Sequence, residues 1–169
     1  ALLRTPIDGA RLTSSFGMRM HPILGYSTMH RGIDFGAGTG TPIMAAGDGV
    51  VEKAGAEGGY GNLVLLRHNA TYETAYAHMS RFAAGVRPGA HVRQGQVIGY
   101  VGATGLATGP HLHYEVRIKR EQVNPLSIKM MPGPKLASGE LRAFRDVADN
   151  LDRQVLRLRQ ESLIAAVRN

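Results

Sequence analysis

The sequence contains no cysteine. Disulfides, thiol redox chemistry and thiolate metal sites are therefore excluded, and any bound metal must use His, Asp or Glu. That absence does not fix a compartment. Aromatic residues are also scarce, at 6%, and no basic cluster is interleaved with stacking side chains as in single-strand nucleic-acid binders. No run approaches the roughly 18 consecutive apolar residues of a membrane-spanning helix. The opening ALLRTPIDG has no signal-peptide pattern, so it reads as a mature or trimmed stretch with no membrane anchoring visible. Several catalytic signatures are missing too. There is no H-E-x-x-H, no G-x-S-x-G elbow, and no glycine-rich phosphate loop followed by Lys and Ser/Thr.

What is present suits a globular chain. The 169 residues are 43% hydrophobic and 20% charged, enough for one good core and a small appendage. Twenty-two glycines imply many tight turns and favour short strands over long helices. The net charge of +7 calls for a polyanionic neighbour. The excess is dispersed, with 14 Lys or Arg against 8 acids in residues 1–135. Such a field suits an anionic cell-envelope polymer as well as it suits nucleic acid.

Two regions differ in periodicity. Up to about residue 128 the pattern is glycine-punctuated and strand-like, with candidate strands at Val50–Lys53, Leu63–Arg67, Thr74–His78, Val97–Val101 and Leu112–Ile118. This predicts a mainly β fold, a small antiparallel, sandwich-like sheet domain over residues 1–131. The segments AAGDGVVEKAG and VRQGQVIGYVG resemble each other and read as paired hairpins. Residues 132–169 are predicted to be a linker and a C-terminal amphipathic α-helix. Leu141, Phe144, Ala148, Leu151, Val155 and Leu158 recur at spacings of three and four, with Ser138 as N-cap, so the helix is predicted over Gly139–Val167. Its narrow apolar stripe predicts docking on its own domain or self-association with a partner helix.

Seven histidines carry the chemical signal: His21, His30, His68, His78, His91, His111 and His113. In HRGID, a straight strand would hold His30 and Asp34 about 13 Å apart. Both reach one ion only if the chain bends between them, which Gly32 makes cheap. In HLHYEVR, His111 and His113 project from the same strand face, with Glu115 next along it. A strand that gives two inward positions to imidazoles loses apolar burial, which points to binding or catalysis. YAHM places His78 at the end of another candidate strand. His68 and His91 read as structural or surface residues, and His21 as either structural or lining a site. Neutral imidazoles plus one carboxylate are what hydrolytic zinc prefers, with a fourth position left for water.

These segments together resemble the lysostaphin/LytM-type zinc metalloendopeptidases of bacterial cell walls. The resemblance covers roughly residues 10–128 and rests on TSSFGMRMHPILG, MHRGIDFGAGTGTPIMAAGDGVV, GYGNLVLLRH, YAHMS, VRQGQVIGYVGATG and TGPHLHYEVR, in that order. It implies a small antiparallel β domain with a groove above the sheet. It also implies one zinc ion held by His30, Asp34 and His113, with His111 and His78 acting in catalysis. His111 is expected to take the proton of the attacking water and His78 to steady the oxyanion, although the two roles are exchangeable. Asn62 matches a recurrent position near the cleft, and Glu115 is expected either to orient a histidine or to lie on the surface. The implied function is a peptidoglycan endopeptidase acting outside the cytoplasm, in the periplasm, cell envelope or medium, on stem-peptide cross-links of the D-alanyl–diaminopimelate type. Glycyl-glycine bridge cleavage and non-hydrolytic activation of a cell-wall amidase are the alternatives, the latter disfavoured by the intact five-residue set. A lipoyl- or biotin-carrier-like domain would need a modified Lys at a hairpin tip, and Lys53 falls within a predicted strand. A nucleic-acid partner is not expected.

Overall fold

The alternation of HLHYEVRI explains how the fold presents a chemical face. In a strand, successive side chains point to opposite sides. Leu112, Tyr114 and Val116 are fully buried on one side, while His111, His113, Glu115 and Arg117 occupy the other. The same two-sidedness recurs in neighbouring strands and yields one apolar core beneath the sheet.

The computed structural model describes residues 3–20 and 27–128. Twelve strands run in chain order: β1 (Arg11–Ser14), β2 (Gly17–Met20), β3 (Ser27–His30), β4 (Ile33–Gly36), β5 (Pro42–Met44), β6 (Gly49–Glu57), β7 (Gly61–Arg67), β8 (Tyr72–Phe82), β9 (His91–Val92), β10 (Val97–Val101), β11 (His111–Ile118) and β12 (Glu121–Val123). The principal sheet has ten strands along the path β1-β4-β11-β8-β7-β6-β9, with β12 on β11 and a β10–β5 arm branching from β8. All of its pairings are antiparallel. Strands β2 and β3 form a separate two-stranded ribbon. The fold is thus mainly β and antiparallel, as the glycine-punctuated pattern predicts. The predicted helix over Gly139–Val167, the Pro132–Pro134 boundary and His21 lie outside the described residues.

The core gathers Ile43 from β5 and Ile98 and Val101 from β10 against Val64, Leu66, Tyr76, Leu112, Tyr114 and Val116 of the main strands. Burying each such side chain is worth about 1.5–3 kcal/mol. The opposite face carries a smaller cluster of Leu63, Ala75 and Ala77. Ala75 and Ala77 stand across from Glu115 and His113, so short side chains leave room for long polar ones. The two look-alike segments do not fold back on themselves. They run antiparallel to each other, with Gly49 opposite Val92 and the Ala45 N–H donating to the Gln96 carbonyl at 2.8 Å.

One irregularity matters for the site. Asn62 pairs with Met79 and Val64 with Tyr76, so a single residue of β7 faces two of β8, Ala77 and His78. This is a β-bulge. His78 adopts φ +61°, a left-handed conformation uncommon for a non-glycine residue. Without the bulge, His78 would share the core face with Tyr76. With it, Met79 takes the core position and His78 is turned toward the polar face.

Candidate metal centre and active site

Sheet register brings Asp34 and His113 together, because they are direct partners across β4 and β11. The chain bends at Arg31–Gly32 between β3 and β4, which brings His30 back over Asp34. Gly32 is required for a further reason. A Cβ there would lie 2.5 Å from the Tyr114 carbonyl oxygen and 2.8 and 2.9 Å from the His113 ring, so the missing side chain is the space the imidazole occupies.

The three side chains converge tightly. His30 Nε2 lies 3.1 Å from Asp34 Oδ1 and 3.1 Å from His113 Nδ1, and His113 Nδ1 lies 2.9 Å from Asp34 Oδ1. One donor atom from each falls within 4.8 Å of the others, a set able to hold a metal ion. Each imidazole is also oriented for it. His30 Nδ1 donates to the Ser15 carbonyl at 2.7 Å, which turns the Nε2 lone pair to the cluster. His113 Nε2 donates to Glu115 Oε1 at 3.2 Å, which frees Nδ1. Two imidazole nitrogens and one carboxylate oxygen, with the outer ring nitrogens anchored, fit the chemistry of a hydrolytic zinc site.

Glu115 is fully buried, which corrects the surface alternative. It accepts from Tyr60 Oη at 2.7 Å and from Arg117 Nε and Nη2 at 3.0 and 2.9 Å. Burial opposes its ionisation, yet the hydrogen bonds from His113 and Tyr60 and the Arg117 charge hold its carboxyl at about 2. Burial likewise opposes ionisation of Asp34, but His113 and His30 outweigh it and hold that carboxyl well below the usual range. Against its own burial, His113 is pushed up to about 9 by Asp34 and Glu115. Tyr60 is not among the sequence candidates; its position in GYGN, two residues before Asn62, is the available signal.

The remaining two histidines face the same cleft. His78 Nδ1 donates to the Thr104 carbonyl at 2.8 Å, and His111 Nδ1 donates to the Gly109 carbonyl at 2.9 Å. Both therefore turn Nε2 away from the backbone, and their ring centroids are 4.7 Å apart. His111 Nε2 is 3.9 Å from Asp34 Oδ1. Burial, with the nearby His111 and His113 charges, lowers the His78 pKa despite its bond to Thr104. The cleft, about 440 Å³, is lined by His30, Asp34, His78, His111 and His113, with Tyr60, Leu106 and Thr108 among its walls.

Other sequence candidates fall elsewhere. His68 lies between the Asp48 carbonyl and Thr74 Oγ1, 2.7 Å from each, and His91 is exposed on β9. Asn62 does not touch the ligand cluster through any described hydrogen bond. Its Nδ2 donates to the Met79 and Ser80 carbonyls at 3.0 and 3.4 Å. Lys53 is inside β6 opposite Leu65 and ion-paired with Glu57, not at a hairpin tip.

Residues 28–125 match the family described as Peptidase family M23. Over 154 residues the chain is 47% identical to the DD-carboxypeptidase/endopeptidase Mpg of Neisseria meningitidis, covering 91% of this chain and 35% of that protein. Over 145 residues it is 44% identical to the peptidoglycan DD-endopeptidase ShyC of Vibrio cholerae, covering 85% of this chain and 33% of that protein. It thus spans about a third of the length of these curated relatives. Among solved structures, a zinc containing peptidase from Vibrio cholerae superposes with a TM-score of 0.72 at 34% identity, over 78% of this chain and 41% of that one.

Proposed function

Because the chain belongs to peptidase family M23, we propose that it is the catalytic part of a zinc-dependent peptidoglycan endopeptidase. The observation that carries this reading is the convergence of His30, Asp34 and His113 donor atoms opposite a second pair of imidazoles, His78 and His111, in one cleft. His30 Nε2, His113 Nδ1 and an Asp34 oxygen would hold one zinc ion. When bound, that ion supplies Lewis acidity, polarising a peptide carbonyl and bringing the pKa of water toward about 7.

The chain's own groups supply the proton traffic. His78 carries its proton on Nδ1 and turns its Nε2 lone pair to the cleft, and burial lowers its pKa. Of the two exchangeable roles, taking the proton of the attacking water falls to His78 on this reading. His78 then hands that proton from Nε2 to the leaving amine, while His111, the adjoining ring with its own Nδ1 on the Gly109 carbonyl, accepts the other O–H of the water through Nε2 and orients it.

The substrate we propose is the stem-peptide cross-link between D-alanine and diaminopimelate, reached outside the cytoplasm. The names carried by the relatives support the chemical class, and the net charge of +7 favours an anionic sacculus through a field that salt weakens. Digestion of purified sacculi, resolved by mass spectrometry, tests the bond. Loss of cross-linked dimers with matching gain of monomers is expected, and unchanged dimer content refutes it. In parallel, His30→Ala, Asp34→Ala and His113→Ala should abolish zinc binding, whereas His78→Ala and His111→Ala should keep zinc and lose turnover.

A further inference from the structure

The β-bulge that delivers His78 is held by a knot of hydrogen bonds from one residue of the loop between β10 and β11. Thr104 offers its carbonyl to His78 Nδ1 at 2.8 Å. Its hydroxyl donates to the Met79 carbonyl at 2.8 Å and accepts from the Asn62 N–H at 3.0 Å. Asn62 Nδ2 reaches the same Met79 carbonyl at 3.0 Å. A single residue thus fixes the backbone after the bulge, the strand opposite it and the ring the bulge presents.

The packing around this knot leaves little slack. A Cβ on Gly61 would lie 2.4 Å from Thr104 Oγ1, and one on Gly102 would lie 2.5 Å from the Ser80 nitrogen. A Cβ on Gly105 would lie 2.3 Å from the Gly61 nitrogen. Three glycines therefore let the loop press directly onto the bulge. A left-handed conformation is costly for a non-glycine residue and persists only where its surroundings over-determine it. The surroundings that do so here are Thr104 and Asn62.

We propose that Thr104, with Asn62, is a positioning residue of the reaction, holding His78 in its bulged conformation with Nδ1 protonated and Nε2 bare. The inference rests on the reading that His78 takes part in proton transfer. No described hydrogen bond joins either residue to the proposed ligands, so zinc binding is expected to be independent of them. Displacement of a reacting group by about 1 Å can cost on the order of 100-fold in rate, which sets the scale.

The test compares Thr104→Val, which keeps the shape and deletes the hydroxyl, with Thr104→Ser, which restores it, and with Asn62→Ala and His78→Ala. For Thr104→Val, kcat on a cross-linked muropeptide should fall 10- to 100-fold, with KM within about threefold. Zinc stoichiometry and affinity should stay unchanged, and Thr104→Ser should recover most of the rate. Nitrogen-15 NMR of the histidine rings should show the Nδ1–H tautomer at His78 in the wild type, and a mixture of tautomers in Thr104→Val. Should Thr104→Val not fold, Asn62→Ala removes the other bond to Met79 and should show the same kcat loss without zinc loss. If His78→Ala lowers kcat but Thr104→Val and Asn62→Ala do not, the inference fails while the site reading stands. If His78→Ala leaves kcat unchanged, the site reading itself fails.

Discussion

Replacing Glu115 by Gln probes the polar network beneath the proposed zinc site with the smallest change of shape. The carboxylate accepts four bonds: one oxygen takes His113 Nε2 and Tyr60 Oη, and the other takes the Arg117 fork. A carboxamide cannot satisfy both sides. If its oxygen faces His113, its NH2 meets the Arg117 donors. If it turns over, its NH2 faces His113 Nε2, which must then give up its proton to Nδ1, the nitrogen proposed for zinc. Loss of such an outer partner typically lowers metal affinity 10- to 100-fold, about 1.4 to 2.7 kcal/mol. Competitive titration with a zinc chelator should show this shift for Glu115→Gln, and an affinity within about twofold of wild type would refute the tautomer argument. The same variant has a pH signature in metal-free protein. A carboxyl held at about 2 against its ordinary 4.5 stabilises the fold by about 3 kcal/mol. Because the folded value is the lower one, this contribution is complete above pH 4.5 and is lost as pH falls toward 2. The stability gap between wild type and Glu115→Gln should therefore shrink across that window in urea unfolding. A gap of constant size would mean that Glu115 is not held ionised.

Three further outcomes are expected. Gly32→Ala should weaken zinc binding at least tenfold and destabilise the fold by about 1–3 kcal/mol, the usual cost of overpacking, since its Cβ would press on the His113 ring; calorimetry with zinc titration reads both. Tyr114 Oη is a buried side-chain polar atom with no hydrogen-bond partner among the described residues, so Tyr114→Phe should leave the melting temperature unchanged or raise it, by up to about 1 kcal/mol of stability. A clear drop would reveal a partner for that hydroxyl in solution. Burial, the largest influence on His68, lowers its pKa below 6.5 against its backbone bond to Asp48. The folded state thus binds fewer protons, and stability should fall as pH drops below 6.5. His68→Gln should flatten that slope in chemical denaturation between pH 6.5 and 5.

Much of the β architecture is legible in the sequence because it depends on local alternation. The expected strand Val97–Val101 has those bounds in the structure, and Leu112–Ile118 lacks only His111. The expected strand Thr74–His78 is the centre of a longer one, Tyr72–Phe82, because its continuation past His78 depends on a bulge. Period-two reasoning would put His78 on the core face beside Tyr76, and only the extra residue opposite β7 reverses that. The short strands β1, β4 and β5 are less legible, since their pairings are set by partners elsewhere in the chain rather than by their own sequence. The pairing of His111 and His113 on one face follows directly from their spacing. The Glu115–Arg117–Tyr60 network does not, because Tyr60 arrives from 55 residues away. In the sequence Gly32 reads as a hinge, while its main service is to make room for a ring 81 positions later in the chain.

The proposed ligands are divided between two pieces of sheet that share no ladder. Asp34 and His113 face each other across β4 and β11, whereas His30 ends the β2–β3 ribbon. An ion gripped by all three is a clasp between ribbon and body. Peeling the ribbon strips away one imidazole and leaves a weaker two-point grip, so release of the ion and lifting of the ribbon become a single equilibrium. By the same linkage, tighter metal binding ties the ribbon down more firmly.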